Sequence, residues 1–537
     1  MYDYIIVGAG SAGCVLAHRL SEDPAVRVLL LEAGPSDWHP FVHMPAGLAK
    51  LIGQKGVNWD YSTQPEPQLS GRQLWWPRGK VLGGSSSINA MCYIRGNPAD
   101  YDEWDDLGAR GWHWDNVLPY FKRSEGNERG ASALHGGNGP LGVSDPRYQN
   151  PLSPVFIEAA HQAGLPLTQD FNGESQDGVG WYQTTTRKGS RSSSAEAYLK
   201  PVRSRRNLKV ITGAVAARIL FEGDRASGVA YSVGGQPYAE GAAREVLVCG
   251  GALNSPQLLM LSGIGPAAHL REIGIEVRAD LPGVGENLQD HLDICTMQRC
   301  TQPVTYDKTN DALIALKYYL LKQGPGTSNI AETGAFLRSR LAEDARPDIQ
   351  FHFVPAQLDD HGRNQLPGFG YTVHACYLRP RSRGRLTLAS DNPTDKVRIE
   401  AGYLSDPEGR DLQMMLECVR MSREIFAQPA FEPFRGEEIF PGEQVQDDAA
   451  LVEFIRRKAE SIYHPVGTCR IGSADDPMAV VDPELRVRGV QGLRVVDASV
   501  MPDVPGGNTN GPTIMIAEKA SDLIRGRSLP ASAREAA

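Results

Sequence analysis

The first thirty-odd residues constrain this chain more than any other stretch. Tyr2-Asp-Tyr-Ile-Ile-Val7 is a short, mostly apolar run of the kind that forms a buried parallel strand, and Gly8-Ala-Gly10-Ser-Ala-Gly13 follows at once. Cys14 to Leu20 predicts a helix, and Val26-Arg-Val-Leu-Leu-Leu31 predicts a second strand that ends on Glu32. A strand, a glycine-rich turn, a helix and a strand closed by an acid form the βαβ unit that binds a dinucleotide. Gly8 permits the tight turn, Gly10 lets the backbone approach a pyrophosphate, and Gly13 lets helix and strand pack closely. The helix N-terminus, with Ser11 and Ala12 in the turn before it, offers free N–H groups and a positive dipole end to phosphates. Glu32, followed by Ala33, accepts hydrogen bonds from a ribose and argues against a 2′-phosphate. This fingerprint does not choose between NAD and FAD.

Two more glycine-flanked elements lie far downstream. Glu245-Val-Leu-Val248 runs into Gly250-Gly251, and Arg494-Val-Val496 ends at Asp497, followed by a Pro/Gly loop and a helix from about Pro512 to Arg525. A Gly/Ser-rich stretch covers Gly79 to Asn89. The region from about 295 to 455 lacks glycine fingerprints and carries strand-like runs such as Ile349-Gln-Phe-His-Phe-Val354 and Tyr371-Thr-Val-His-Ala-Cys376. The expected architecture is α/β, α+β overall. A discontinuous Rossmann-like domain (residues 1–155, 195–295 and 455–530) carries an inserted substrate domain (156–194 and 296–454) with an antiparallel-type sheet and helices. Ser528 to Ala537 reads as a frayed tail.

At 537 residues the chain holds about two to four domain-sized units. A net charge of −9 excludes an electrostatic grip on nucleic acid as the main function, and the basic run Arg203 to Arg206 reads as a solvated loop. The eight cysteines are scattered without a CxxC pair, so neither a disulfide framework nor a metal site is expected; reduced cysteines in a cytoplasmic protein fit better. The N-terminus shows no signal peptide, and Val26–Leu31 and Leu258–Leu261 are too short to span a bilayer. Peripheral contact with the inner membrane stays open, as does the oligomeric state.

Longer motifs carry a family resemblance. Pro77-Arg-Gly-Lys-Val-Leu-Gly-Gly-Ser-Ser-Ser-Ile-Asn-Ala-Met-Cys-Tyr-Ile-Arg-Gly96 and Gly251-Ala-Leu-Asn-Ser-Pro-Gln-Leu-Leu-Met-Leu-Ser-Gly-Ile-Gly265 resemble the two signatures of the glucose–methanol–choline (GMC) oxidoreductases. Gly283-Val-Gly-Glu-Asn-Leu-Gln-Asp-His291, Tyr463-His-Pro-Val-Gly-Thr-Cys469, Val496-Asp-Ala-Ser-Val-Met-Pro502 and Gly507-Asn-Thr-Asn-Gly-Pro-Thr513 match as well. Within the family the chain is most similar to bacterial alcohol dehydrogenases of the alkanol and choline type. The resemblance implies FAD, a bipartite fold and alcohol oxidation at a histidine. Some members bond FAD covalently through a histidine in the glycine-rich loop; the matching residue here is Ile88, which implies noncovalent FAD. Gly511 stands where many relatives have alanine.

The resemblance singles out His464 among twelve histidines as the base that takes the hydroxyl proton while hydride passes to flavin N5. Asn508 matches the second catalytic position, where an amide holds the substrate oxygen without competing as a base. A helix opening near Pro512 and Thr513 would aim its positive end at the reduced flavin. Asp497 and Ala498, Arg78, Val81, Gly83, Gly84, Ser85, Asn89, Ala90 and Met91 complete the implied flavin site, with Val215 near the adenine. Asn510 serves either this site or a helix N-cap. Tyr463 reads equally as pocket or core, Phe351, Phe353 and Tyr93 as core, and His291 and His361 as structural. The expected reaction is oxidation of a primary alcohol to the aldehyde, with electrons passed to a quinone rather than O2. An aryl or furanic alcohol oxidase using O2, a choline-type dehydrogenase and a nonredox lyase on the same scaffold are the alternatives.

Overall fold

The computed structural model describes residues 1–527; the expected frayed tail lies outside the described residues. Two sheets organise the chain. In the first, five parallel strands run in the order Leu208–Thr212, Val28–Glu32, Tyr2–Val7, Gln236–Val248, Leu493–Val495. Val7 sits beside Leu31 and Val248, and Val248 beside Val495, so four strand ends and their turns meet at one level. Ligands of open α/β sheets bind outside these carboxyl ends.

The Ser11–Leu20 helix lies between this sheet and the last helix, with Cys14, Val15, Leu16 and Ala17 all fully buried. Its start lies three residues before the expected Cys14, because first-turn N–H groups need no partner within the helix and Ser-Ala-Gly is tolerated there. A methyl group on Gly13 would lie 1.8 Å from the Gly8 carbonyl oxygen, so only glycine permits this helix–strand approach. The strand expected at Glu245–Val248 reaches back to Gln236, pairing antiparallel with Arg225–Val233, which in turn pairs with Ala214–Glu222. Most of residues 236–240 are exposed, so hydrophobic periodicity could not report them.

The second sheet is antiparallel throughout, in the order Arg435–Phe440, Leu292–Cys300, Gly370–Tyr377, Ile349–Val354, Thr333–Leu337, Gly178–Trp181, with Glu460–Ser461 also paired to Leu292–Cys300. The Leu292–Cys300 strand runs across the boundary expected at 295/296. Every residue of Ile349–Val354 and Gly370–Tyr377 is buried. The apolar residues Phe351, Phe353, Tyr371 and Val373 enter the main core, which leaves Gln350, His352 and His374 for the opposite face. His352, Val354 and His374 of that face line a cavity shared with the turns of the first sheet.

Candidate active site

A connected cavity of about 400 Å³ runs between the two sheets. One end is built from the turns at the parallel strand ends. Gly8, Gly10, Ser11, Ala12, Glu32 and Ala33 line it, with Val215 from the antiparallel extension. The Glu32 carboxylate accepts the Ala9 and Gly34 N–H groups, each at 2.8 Å, and burial raises its pKa to about 7. Gly10 and Gly84 face each other: a methyl group on Gly84 would lie 2.7 Å from the Gly10 Cα. Arg78, Ser85, Asn89, Ala90 and Met91 continue the wall. Asp497 accepts from Gly251 N at 2.8 Å, Ser255 Oγ at 2.5 Å and Ser499 N at 2.8 Å, so it ties two glycine-flanked turns together while facing the cavity with Ala498.

Four expected residues lie outside the wall. Gly13 sits behind it at the helix–strand contact. Val81 is buried with Val42, Leu51, Val57 and Ile88. The Gly83 N–H donates to Ala9 O at 2.7 Å, which fixes the loop. Pro512 is the third residue of a helix that begins at Asn510 rather than the first, a place where a missing N–H costs nothing. Thr513 is in the wall. Thr509, not Asn510, is the N-cap, and Asn510 Oδ1 accepts from Ser11 Oγ at 2.8 Å, joining the last helix to the first turn.

At the other end the structure brings His464 and Asn508 together, with His464 Nε2 3.1 Å from Asn508 Nδ2. The hydrogen-bond network assigns the tautomers. His291 Nε2 faces the Leu378 carbonyl at 3.2 Å and must donate to it, leaving Nδ1 bare. That atom lies 3.0 Å from His464 Nδ1, which therefore carries the proton. His464 Nε2 is then the bare nitrogen, and it lies at the cavity. Burial, followed by the neighbouring His291, His352 and Arg78, holds the His464 imidazole well below its ordinary pKa. His291 is lowered to about 3, again mainly by burial, and stays neutral as this tautomer assignment requires. The expectation that His291 is structural thus acquires content: it sets which nitrogen of His464 is basic.

The backbone at His464 is fixed from below. Asp290 accepts the His464 N–H at 2.6 Å and Ser461 Oγ at 2.5 Å, and also bonds the Tyr403 hydroxyl. Tyr463 adopts φ +69°, a left-handed conformation that costs energy for a non-glycine residue. It lines the cavity, with its ring 4.8 Å from that of His361, which also lines it.

Gln350 Nε2 donates to Asn508 Oδ1 at 3.0 Å, which fixes the amide so that its N–H groups face His464. His352 Nε2 lies 3.2 Å from Gln350 Nε2 and 3.5 Å from Asn508 Nδ2; both are donors, so His352 Nε2 accepts and Nδ1 carries its proton. His352 Nδ1 is buried without a partner among the described residues, and the ring lines the cavity. Sequence reasoning missed Gln350, His352 and His374. Their signal was the polar half of the alternation in Ile349–Val354 and Tyr371–Cys376, whose apolar half is core.

The chain matches the model of the GMC oxidoreductase family over residues 2–293 and 380–517. Human mitochondrial choline dehydrogenase is 50% identical over 539 residues, covering 98% of this chain and 90% of the relative. Oxygen-dependent choline dehydrogenase of Brucella ovis is 49% identical, with 98% and 96% covered. Pyridoxine 4-oxidase from Mesorbium loti superimposes with a TM-score of 0.90 at 33% identity, covering 98% and 100% of the two chains. Formate oxidase from Aspergillus oryzae gives 0.91 at 28% identity, covering 98% of each. With its dinucleotide turn, its antiparallel second sheet and its histidine–amide pair in one cavity, the chain belongs to the GMC oxidoreductases, a family of FAD-dependent alcohol oxidoreductases.

Proposed function

We propose that this enzyme oxidises a neutral, apolar primary alcohol to the aldehyde, with His464 as base, Asn508 as oxygen holder and noncovalently bound FAD. The observation that carries the proposal is the bare His464 Nε2 beside the Asn508 amide at one end of a cavity whose other end suits a dinucleotide. The residues fit FAD. The Ser11–Leu20 helix has no side-chain cap and leaves its first N–H groups for phosphate, the Gly10–Gly84 approach admits a thin pyrophosphate, and Glu32 and Asp497 face the cavity. Ile88 offers no nucleophile for a covalent link. When bound, FAD supplies the hydride acceptor. Residues 1–155, 195–295 and 455–530 would hold it; 156–194 and 296–454 would shape the alcohol site.

The substrate class rests on the wall near His464. Ile330, Val354, Leu358 and Ile462 line it beside His352, His361 and His374, and the only carboxylates in the cavity wall among the described residues, Glu32 and Asp497, belong to the cofactor end. A fixed cation would find no counter-charge there. Choline is the second reading, favoured by the choline dehydrogenases at about half identity and by the Tyr463 ring. Anaerobic bleaching of the flavin by a series of 1-alkanols and by choline separates them. Each buried methylene contributes about 0.8 kcal/mol, or ~4-fold in kcat/KM. Rising rates along the alkanols, with choline at least tenfold slower, are expected; choline as the better substrate would reverse the assignment.

The electrons, on this proposal, leave to a quinone at a membrane surface. Five of the ten exposed large apolar side chains among the described residues lie on one helix, Asp311–Leu321. Leu313, Leu316 and Leu320 share a face, and Lys308, Lys317 and Lys322 supply positive charge for anionic headgroups. Lys50 pairs with Asp311 at 2.9 Å, and its neighbours Leu48, Ala49 and Ile52 line the cavity, so the apolar face lies beside the cavity rim. No helix among the described residues is long and apolar enough to cross a membrane. The holoenzyme should sediment with vesicles containing anionic lipid, and the double change Leu316→Ser, Leu320→Ser should weaken partitioning by ~30-fold, equivalent to about 2 kcal/mol. Equal partitioning of both proteins would remove the membrane from the proposal.

A further inference from the structure

Beyond His352 the polar face of the second sheet continues into a group that alcohol oxidation does not use. Cys295 and His374 are direct cross-strand partners on Leu292–Cys300 and Gly370–Tyr377. Asp293, two residues before Cys295, lies on the same face. Their donor atoms converge. Asp293 Oδ2 is 2.6 Å from His374 Nδ1, and Cys295 Sγ is 3.3 Å from that nitrogen and 3.8 Å from the carboxylate oxygen. An Asp–His ion pair accounts for only part of this. Asp293 is fully buried, yet its second oxygen, Oδ1, has no partner among the described residues. An unfilled acceptor on a buried carboxylate costs free energy that a simple ion pair leaves uncompensated.

We propose that Asp293, Cys295 and His374 form a three-ligand site for a zinc-class divalent ion, its fourth position open toward the substrate end of the cavity. Zinc bonds of about 2.0–2.3 Å arranged tetrahedrally separate neighbouring ligand atoms by ~3.4–3.6 Å. The three separations here come within ~0.8 Å of that, and rotation of the Asp293 carboxylate supplies the largest adjustment. Sulfur, imidazole and carboxylate together favour zinc over the hard ions magnesium and calcium. Three protein ligands with one open position is the arrangement of zinc sites that admit a further ligand, as distinct from closed structural ones. His374 lines the cavity, so an ion on its Nδ1 alters the wall that the alcohol meets. The site therefore acts as an inhibitory one. The two strands are paired directly and all three residues are already within reach of one another, so little ordering accompanies binding.

The test uses FAD-loaded enzyme freed of metal by chelation and dialysed against Zn2+. One Zn2+ per chain is expected, with one sulfur at about 2.3 Å and nitrogen or oxygen at about 2.0–2.2 Å in the zinc X-ray absorption spectrum. Cys295→Ala should remove the sulfur shell and weaken binding by at least ~100-fold while keeping the flavin spectrum; Asp293→Asn is the second variant, read in the same way. Alcohol oxidation should fall on adding Zn2+ to the parent enzyme and not to Cys295→Ala. The other converging group, Asp37, His43 and Glu196, contains no sulfur, so zinc bound there gives a spectrum without a sulfur shell. That spectrum, or unchanged affinity in both variants, would overturn the proposal.

Discussion

Replacing His464 by Gln should lower kcat/KM for alcohol oxidation by ~10²–10⁴-fold while leaving flavin binding intact. That range is what a positioned general base contributes. Glutamine keeps a side chain of similar reach and can still accept a hydrogen bond from Asn508, so the loss would measure proton transfer rather than collapse of the pocket. Stopped-flow bleaching of the flavin under anaerobic conditions reads the affected step without involving the electron acceptor. Bleaching within threefold of the parent rate would refute His464 as base. Exogenous imidazole should restore part of the rate in His464→Ala, where a cavity is left, and less in His464→Gln, where the space is filled. The parent enzyme carries a linked pH expectation. Burial, followed by the neighbouring His291, His352 and Arg78, depresses the His464 pKa, so its folded form stays neutral through the ordinary titration range of histidine. The acid limb of kcat/KM should therefore fall below pH ~6.5 rather than near 7, with activity lost only as pH drops toward the depressed value.

Asn508→Ala should cost ~10²–10³-fold in kcat, the loss seen when one fixed donor to a developing oxyanion is removed. The geometry explains why the effect should be large for a neutral amide. Gln350 occupies Asn508 Oδ1, so the amide cannot flip and its N–H groups are aimed before the alcohol arrives. A preoriented dipole in a buried site needs no reorganisation when the substrate oxygen acquires charge. Asn508→Asp should be at least as damaging, because a carboxylate repels that charge and offers no donor. Steady-state rates with the best alkanol, compared at saturating substrate, separate this from a binding defect: the loss should appear in kcat, with KM changed less than ~10-fold. A loss confined to KM would show that Asn508 only shapes the pocket.

Most residues expected at the glycine-rich end line the cavity, for a local reason. Gly8, Gly10, Gly13 and Glu32 lie within one βαβ unit, and each answers to a backbone requirement that acts over a few residues. Val81, Gly83 and Pro512 are instructive in the other direction. They stand inside long motifs, yet they lie behind the cavity wall, because a motif records the residues that shape a loop as well as those that line it. The C-terminal helix start was misjudged by two residues because the first turn of a helix tolerates almost any residue.

His464 and Asn508 were found through motif position, but their partners were not. His291 lies 173 residues from His464, and Gln350 lies 158 residues from Asn508, so no local spacing connects them. Asp293 and Cys295 likewise meet His374 across about eighty positions, which is why the cysteine spacing gave no hint of this cluster.

What the sequence determined by itself was the chemistry that a short stretch of backbone dictates: a dinucleotide turn, a helix end, buried strands and one histidine in a family motif. Strand pairing in the second sheet decided the rest. It turned the apolar half of an alternating pattern into core and the polar half into a wall, and it set the tautomer of His464 through a histidine far away in the chain. The physical reason is range. Backbone geometry and helix dipoles act between neighbours along the chain, whereas proton position and ligand convergence depend on side chains that only tertiary packing brings within hydrogen-bond distance.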